Sequence, residues 1–551
     1  MSTEISVKEI DLDNLFVALQ ALKENGCQTE DRRRMWCSRW LKSSTNSTGT
    51  SSEKLAAAAK DALRTMKNIK RMMDALTKSL EDTIQEVTEQ TADSIRSVGF
   101  ASLPDELIVR VFELLYDDLH VSSIWDESTS LWSRKLASVC KRLRHIALHL
   151  PGLWENISNI SSAEWTACAR ERCESPEIFI LNDGLPNPTP STEVSEFLEI
   201  ARPSDDWRSL SISYDGAEAG SEIFRAICSD SRYNFAKLRN LSIQRGTYDA
   251  WDGNIIGVVA PATRLSASDN ELLSNWQIPG TEVLELGNII PSALSCPNLR
   301  DLTTSFNKFD KPFLWDIDAL TSLLRQLSSI ENLTFRVSYA NALPDNPQTR
   351  SASSPARLPH LKALSLHVNI FTEEMFLLRV MGMIDAPNVS KISMTMNYDY
   401  SRSNIGPPQW LSALFEPQAG GIRSFPSVKD LEVITEDSTR NFQELPFDKL
   451  LRAIPNVHKL SFNIPGGVLS PAFQNIREKF GCLTETRNLF VKNCVGRNDD
   501  DVRELAMYLS GLERRGELDR FEHLELNGCS KFTRFKGHFE RLLGGRFTWR
   551  D

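Results

Sequence analysis

Pro359-His360-Leu361-Lys362-Ala363-Leu364-Ser365-Leu366 carries a phrase, L-x-x-L-x-L, that returns along most of the chain. It recurs as Leu238-x-x-Leu241-x-Ile243, Leu299-x-x-Leu302, Ile330-x-x-Leu333-x-Phe335 and Val389-x-x-Ile392-x-Met394. Further on come Val428-x-x-Leu431-x-Val433, Val457-x-x-Leu460-x-Phe462 and Leu524-x-Leu526. Arg208 to Ile212, Val283 to Leu286 and Asn488 to Val491 are looser copies. The alternation within each copy suits a short strand that buries one face. Most copies lie about thirty residues apart, some nearer twenty or forty, and proline often precedes them. Helical patterns fill several intervals, as in Ile317 to Leu327, Thr372 to Met383 and Asp501 to Leu509.

Strand, helix and strand again at that period is the signature of a leucine-rich-repeat solenoid. One repeat cannot bury its own apolar edge, whereas stacked repeats form a continuous core and a parallel sheet. The expected class is α+β to α/β, with the solenoid over residues 176–551. Pro344 to Pro359 and Tyr398 to Phe425, rich in Pro, Ser, Asn and Gly, read as loops, and Phe521 to Asp551 as the last repeat and its cap. Residues between the buried positions face the open side of such a sheet. They change from small or neutral early in the chain to charged late in it, which assigns a target face to the C-terminal half. Its candidates are Glu432, Lys459, Ser461, Phe490, His523 and Glu525.

Upstream, residues 103–115 read as a helix. Pro104 fits its first turn, Asp105 and Glu106 complement its dipole, and Leu107, Val111 and Leu114 form one apolar line. Ile108, Phe112, Leu115 and Leu119 form a second, so the apolar sector spans nearly half the circumference. Trp132, Leu136, Val139, Leu143, Ile146 and Leu150 mark another amphipathic helix, stopped by Pro151 and followed by the hydrophobic plug Gly152-Leu153-Trp154. One short partner helix cannot cover both lines of the first, so the excess is buried in the rest of the chain or in another protein.

Leu103-Pro104-x-Glu106-Leu107 with Val111-Phe112, then Leu136-x-x-Val139-Cys140-Lys141-Arg142-x-Arg144-x-Ile146-Ala147 and Pro151-x-Leu153-Trp154, resembles the F-box. The likeness is to the F-box-like modules of the large families in mushroom-forming fungi, and it covers residues 101–157. Leu143 stands where the family often has Trp, and Asp117 to Ser133 is longer than in compact members. The resemblance implies a substrate-recognition subunit of an SCF-type, cullin-based ubiquitin ligase. Leu103, Pro104, Leu107, Ile108 and Val111 would dock a Skp-type adaptor, and the repeats would hold a target protein. A different class of reading keeps the repeats as a protein-binding scaffold, with these helices serving only as its N-terminal cap.

The remaining N-terminal sequence divides into a short helical segment (1–41), a Ser/Thr/Asn/Gly-rich linker (42–52) and a long amphipathic helix (53–98). In that helix Leu55, Ala59, Ala62, Met66, Ile69, Met73, Leu76, Leu80, Ile84, Val87 and Thr91 step by threes and fours, near heptad spacing. Such a seam supports weak self-association as a coiled coil, since Ala and Thr at seam positions make a poor zipper. A helical hairpin or a stalk is the other reading. Arg32-Arg33-Arg34 beside Trp36 and Trp40 reads as a solvated basic face.

At 551 residues, 41% hydrophobic and 25% charged, the composition is that of a globular protein with room for several domains. A formal charge of −10 speaks against nucleic acid or an anionic membrane as partner. Neither a run of about twenty apolar residues nor a signal pattern is present, so a cytoplasmic or nuclear location is expected. The ten scattered cysteines read as reduced thiols. His145 and His149 are four apart on a helix without a third ligand, and read as surface histidines. Asp499-Asp500-Asp501 reads as a helix N-terminus. No phosphate loop, dinucleotide fingerprint or nucleophile elbow occurs, and no enzyme, cofactor or metal is expected.

Overall fold

A computed structural model of the chain describes Phe16, Gln20 and residues 52–96, 102–122, 128–182, 193–228, 233–246, 265–306, 313–315, 317–338, 340–342, 354–370, 372–398, 406–415, 423–437, 447–464, 485–493 and 500–550. Most of the N-terminal segment and the linker, the basic cluster and much of the two proline-rich stretches therefore lie outside the described residues; within the second stretch, expected to be a loop, Pro407–Phe415 is a helix. The chain divides into two compact units, Met1–Ile108 and Val109–Asp551.

The second unit is built on one open sheet of fourteen parallel strands whose order follows the chain. The strands are β1 (Asn156–Ser158), β2 (Glu177–Asn182), β3 (Ser209–Tyr214), β4 (Asn240–Arg245), β5 (Val283–Gly287), β6 (Asp301–Phe306) and β7 (Asn332–Val337). They continue as β8 (Ala363–Val368), β9 (Lys391–Tyr398), β10 (Asp430–Asp437), β11 (Lys459–Asn463), β12 (Asn488–Lys492), β13 (His523–Asn527) and β14 (Phe547–Arg550). The mixed helices and this sheet make the fold α/β.

Register explains why the leucine phrase returns. Leu241, Leu284, Leu302, Leu333, Leu364, Ile392, Leu431, Leu460, Leu489 and Leu524 are successive partners across ten strands. All ten are buried. The row two residues on holds Ile243, Leu286, Thr304, Phe335, Leu366, Met394, Val433, Phe462, Val491 and Leu526. Each leucine in such a row contributes about 1.5–3 kcal/mol by leaving water, so the inner face is the main source of stability. Helices supply the opposing layer through Leu320, Leu323 and Leu324, then Phe376, Leu377 and Val380, then Leu505 and Leu509.

Polar ties fix the spacing of successive turns. The Asn298 amide donates to the Pro279 carbonyl at 2.8 Å, Asn388 to Pro359 at 2.7 Å, and Asn456 to Pro426 at 2.8 Å. The Ser427 hydroxyl does the same to Pro387 at 2.7 Å. Proline has no N–H to satisfy at these corners, and its carbonyl is left free for the next turn. At the strand starts one carbonyl accepts two N–H groups: Arg300 takes Glu331 at 2.8 Å and Asn332 at 2.9 Å. Beyond the strands, Asn493 (φ 54) and Gly528 (φ 62) adopt the left-handed conformation that reverses the chain, which Asn tolerates and Gly adopts freely.

Upstream lie α1 (Ser52–Arg96), α2 (Asp105–Ser122), α3 (Ser128–Val139) and α4 (Lys141–Leu148). The expected single helix over Trp132 to Leu150 is two helices. Cys140 is extended (φ −155, ψ 167), and its sulfur caps α4 by accepting from the Leu143 N–H at 3.4 Å. The Arg144 guanidinium spans the break by donating to the Ala137 carbonyl at 2.7 Å. Val139 ends α3 with its side chain exposed rather than on a buried line. The sheet also begins earlier than residue 176: Asn156-Ile157-Ser158 pairs with β2.

Candidate functional site

Two surfaces carry the residues singled out by the sequence. The first is α2. Pro104 precedes it, its carbonyl accepting from the Leu107 and Ile108 N–H groups at 3.1 and 3.2 Å, and Asp105 and Glu106 occupy the first turn. The helix divides its two apolar lines. Ile108, Phe112 and Tyr116 are buried, and Tyr116 accepts a hydrogen bond from the Asn156 side chain at the first strand. Leu107 (51% exposed), Leu114 (50%) and Leu115 (38%) face out, with Pro104 exposed and Leu103 and Val111 half-buried. Ile108 therefore leaves the expected docking set: it sits on the line that turns inward with Phe112, and no partner reaches it without unpacking the helix. Leu114, missing from that set, stands exposed one turn beyond Val111.

Behind α2 the helical segment is tied to the sheet. The Ser133 hydroxyl donates to the Leu153 carbonyl at 2.6 Å, and the Trp154 indole donates to Ala147 at 2.7 Å. The Trp154 ring lies 4.8 Å from that of Trp165, tilted by 38°, and the Trp165 ring also receives the Arg134 guanidinium at 4.6 Å. Leu153 and Trp154 are buried, as the plug reading requires. The His145 and His149 ring centroids lie 4.3 Å apart, and the His149 Nδ1 donates to the His145 carbonyl at 2.7 Å.

The second surface is the open face of β9–β14. Its middle row runs Ser393, Glu432, Ser461, Phe490, Glu525 and Thr548, in register. A cavity of about 310 Å³ is lined there by Glu432, Lys459, Ser461, Phe490 and Glu525. These are five of the six residues assigned to target binding. The sixth, His523, is adjacent: its ring stands 5.7 Å from Phe490 and its Nε2 lies 3.9 Å from a Glu525 oxygen. The face is not simply solvated. Ser461 and Glu525 are buried, with Arg550 3.7 Å from Glu525. Lys459 pairs with Asp430 at 3.6 Å and lies 5.4 Å above the Phe490 ring. The Ser393 hydroxyl donates to Glu432 at 3.1 Å.

Lys492 and Arg550 also line this cavity and were not expected in it. Lys492 continues the alternation Asn488, Phe490, Lys492, a signal present in the sequence. Arg550 lies on the last strand, where no leucine phrase marks the register.

A larger depression of about 940 Å³ lies at the strand starts of β3–β7, lined by Asp206, Arg208, Lys237, Arg239, Arg300 and Glu331 among others. Lys237 and Arg170 each approach Asp206 to 2.9 Å, and the Lys237 ammonium above all holds its carboxyl below the usual range. Among the described cysteines none is bridged, and burial pushes the Cys228 and Cys296 thiols up to about 12, away from nucleophilic character. No described helix is long and apolar enough to cross a membrane. No family model matches the chain, and no curated protein matches it.

Proposed function

We propose that the chain is a substrate-recognition subunit of an SCF-type, cullin-based ubiquitin ligase. The helices of residues 101–157 act as an F-box-like module that docks a Skp-type adaptor, and the sheet acts as a leucine-rich-repeat solenoid that holds a target protein. The observation that carries this reading is the outward apolar line of α2: Leu107 and Leu114 are half exposed, with Pro104, Val111 and Leu115 beside them. Exposed apolar side chains grouped on one helix face favour a protein partner over water.

The mechanism is one of position. The adaptor face fixes the chain on the ligase, and the cavity around Phe490 holds the target, so that a ubiquitin-charged enzyme meets the target's lysines at high effective concentration. No side chain of this protein takes part in bond making. Phe490 supplies apolar area, Lys459 and Glu432 supply charges of both signs, and Glu525 holds Arg550 and His523 in place around them.

One observation favours the other reading, a repeat scaffold capped by its N-terminal helices: Ile108, Phe112 and Tyr116 are buried within the chain. The two differ at Leu107 and Leu114, which a pure cap has no reason to leave bare. The test is co-purification of the full-length chain with adaptor and cullin, followed by hydrogen exchange across α2. The ligase reading expects a stable complex in which the α2 amides gain protection. Absence of a complex would leave the scaffold.

A further inference from the structure

Helix α1 has an apolar strip that the proposed function does not use. Met73, Leu76, Leu80, Ile84 and Val87 are all exposed. At 100° per residue they fall within about 80° of the helix surface and run about 21 Å along it. The same line is covered nearer the N-terminus, where Ile69 is buried and Met66 half-buried, so the bare stretch begins at Met73.

The charges along this helix are segregated. Residues 53–78 carry seven basic and three acidic side chains, and residues 79–96 carry five acidic and one basic. That layout gives a lone helix opposite charges four apart at Lys70 and Asp74, Asp74 and Lys78, and Lys78 and Asp82. It places like charges four apart at Lys60 and Arg64, Lys67 and Arg71, and Asp82 and Glu86, all exposed, and such pairs are destabilising. The helix dipole, too, favours the opposite polarity.

We infer that α1 is a self-association helix, in which two copies of this chain pair antiparallel through the Met73–Val87 strip. The bare strip is nearly centred on the point where the charge changes sign. An antiparallel partner therefore lays its basic half along the acidic half of the other copy while the two strips meet. A parallel partner would set basic against basic and acidic against acidic. Segregated charge thus selects the orientation, and the aliphatic strip supplies the contact. The sequence seam alone, with Ala and Thr in it, gave no orientation. This inference stands apart from the ligase reading and survives its failure.

Analytical ultracentrifugation of the full-length chain at low and high sodium chloride tests it, with two variants. The wild type is expected to dimerise, and its dissociation constant to rise with salt, because screening weakens an attraction between opposite halves. Leu76→Asp with Leu80→Asp is expected to raise the constant by about 100-fold, with helicity by circular dichroism unchanged. Glu81→Lys, Glu86→Lys and Glu89→Lys together leave the strip intact and are expected to raise it by about tenfold at low salt, with the difference fading at high salt. A parallel pair is already repelled at both ends and would show no such weakening. The inference is overturned by a chain that stays monomeric at tens of micromolar, as when residues 1–41 cover the strip instead. It is equally overturned by a dimer that tightens with salt, or by one indifferent to the Leu76 and Leu80 change.

Discussion

Leucine does opposite things in the sheet and in α2. Leu364 sits between Leu333 and Ile392 in register, and all three are buried. Leu107 and Leu114 recur on one line of a helix with equal regularity, yet both stand half exposed. Periodicity tells which residues share a face. It does not tell whether the chain brings another surface to that face. The sheet answers its own pattern strand by strand, whereas α2 answers only the half that holds Ile108, Phe112 and Tyr116.

The contrast breaks first if Leu364 proves dispensable. Leu364→Ala should cost about 2–5 kcal/mol, read from denaturant unfolding, because its neighbours in the row cannot close the cavity. A smaller tie sharpens the same contrast. Asn388→Ala removes the side-chain hydrogen bond donated to the Pro359 carbonyl and should cost about 0.5–1.5 kcal/mol, since that carbonyl can turn to water. The open face should matter least to folding. Lys459→Glu with Glu432→Lys should shift stability by no more than about 0.5 kcal/mol in a thermal melt, and leave adaptor co-purification unchanged.

The smallest effect is a pH dependence. Burial, and then the nearby Arg336 charge, hold the His367 imidazole below its usual 6.5, with Glu436 opposing. A folded value below the unfolded one means that the unfolded chain binds the extra proton. Stability from this group is complete above pH 6.5 and declines as pH falls from there through the folded value. His367→Asn should flatten that part of the stability curve relative to the wild type.

The leucine phrase made the strands legible because the two inward rows of these parallel strands, two residues apart, are apolar, Thr304 excepted. β1 was not legible: Asn156-Ile157-Ser158 has one apolar residue and is held by its pairing with β2. The break at Cys140 was hidden because the apolar steps of four and three run straight through it, and cysteine is not among the preferred caps. Ile108 was misplaced because both lines of α2 are apolar and nothing local says which one turns inward. At the cavity, five residues could be assigned from alternation alone. The burial of Glu525 could not, since it sits between Phe490 and Thr548 on strands that alternation alone does not bring together.

The measurement that bears most directly on the docking face of α2 uses one double variant, Leu107→Asp with Leu114→Asp, examined for folding and for adaptor binding. Both side chains are half exposed, so the far-ultraviolet spectrum and melting curve should match the wild type closely. Co-purification of the adaptor should be lost, because burying two carboxylates against an apolar surface costs several kcal/mol. A variant that unfolds, or one that still carries the adaptor, would contradict the account.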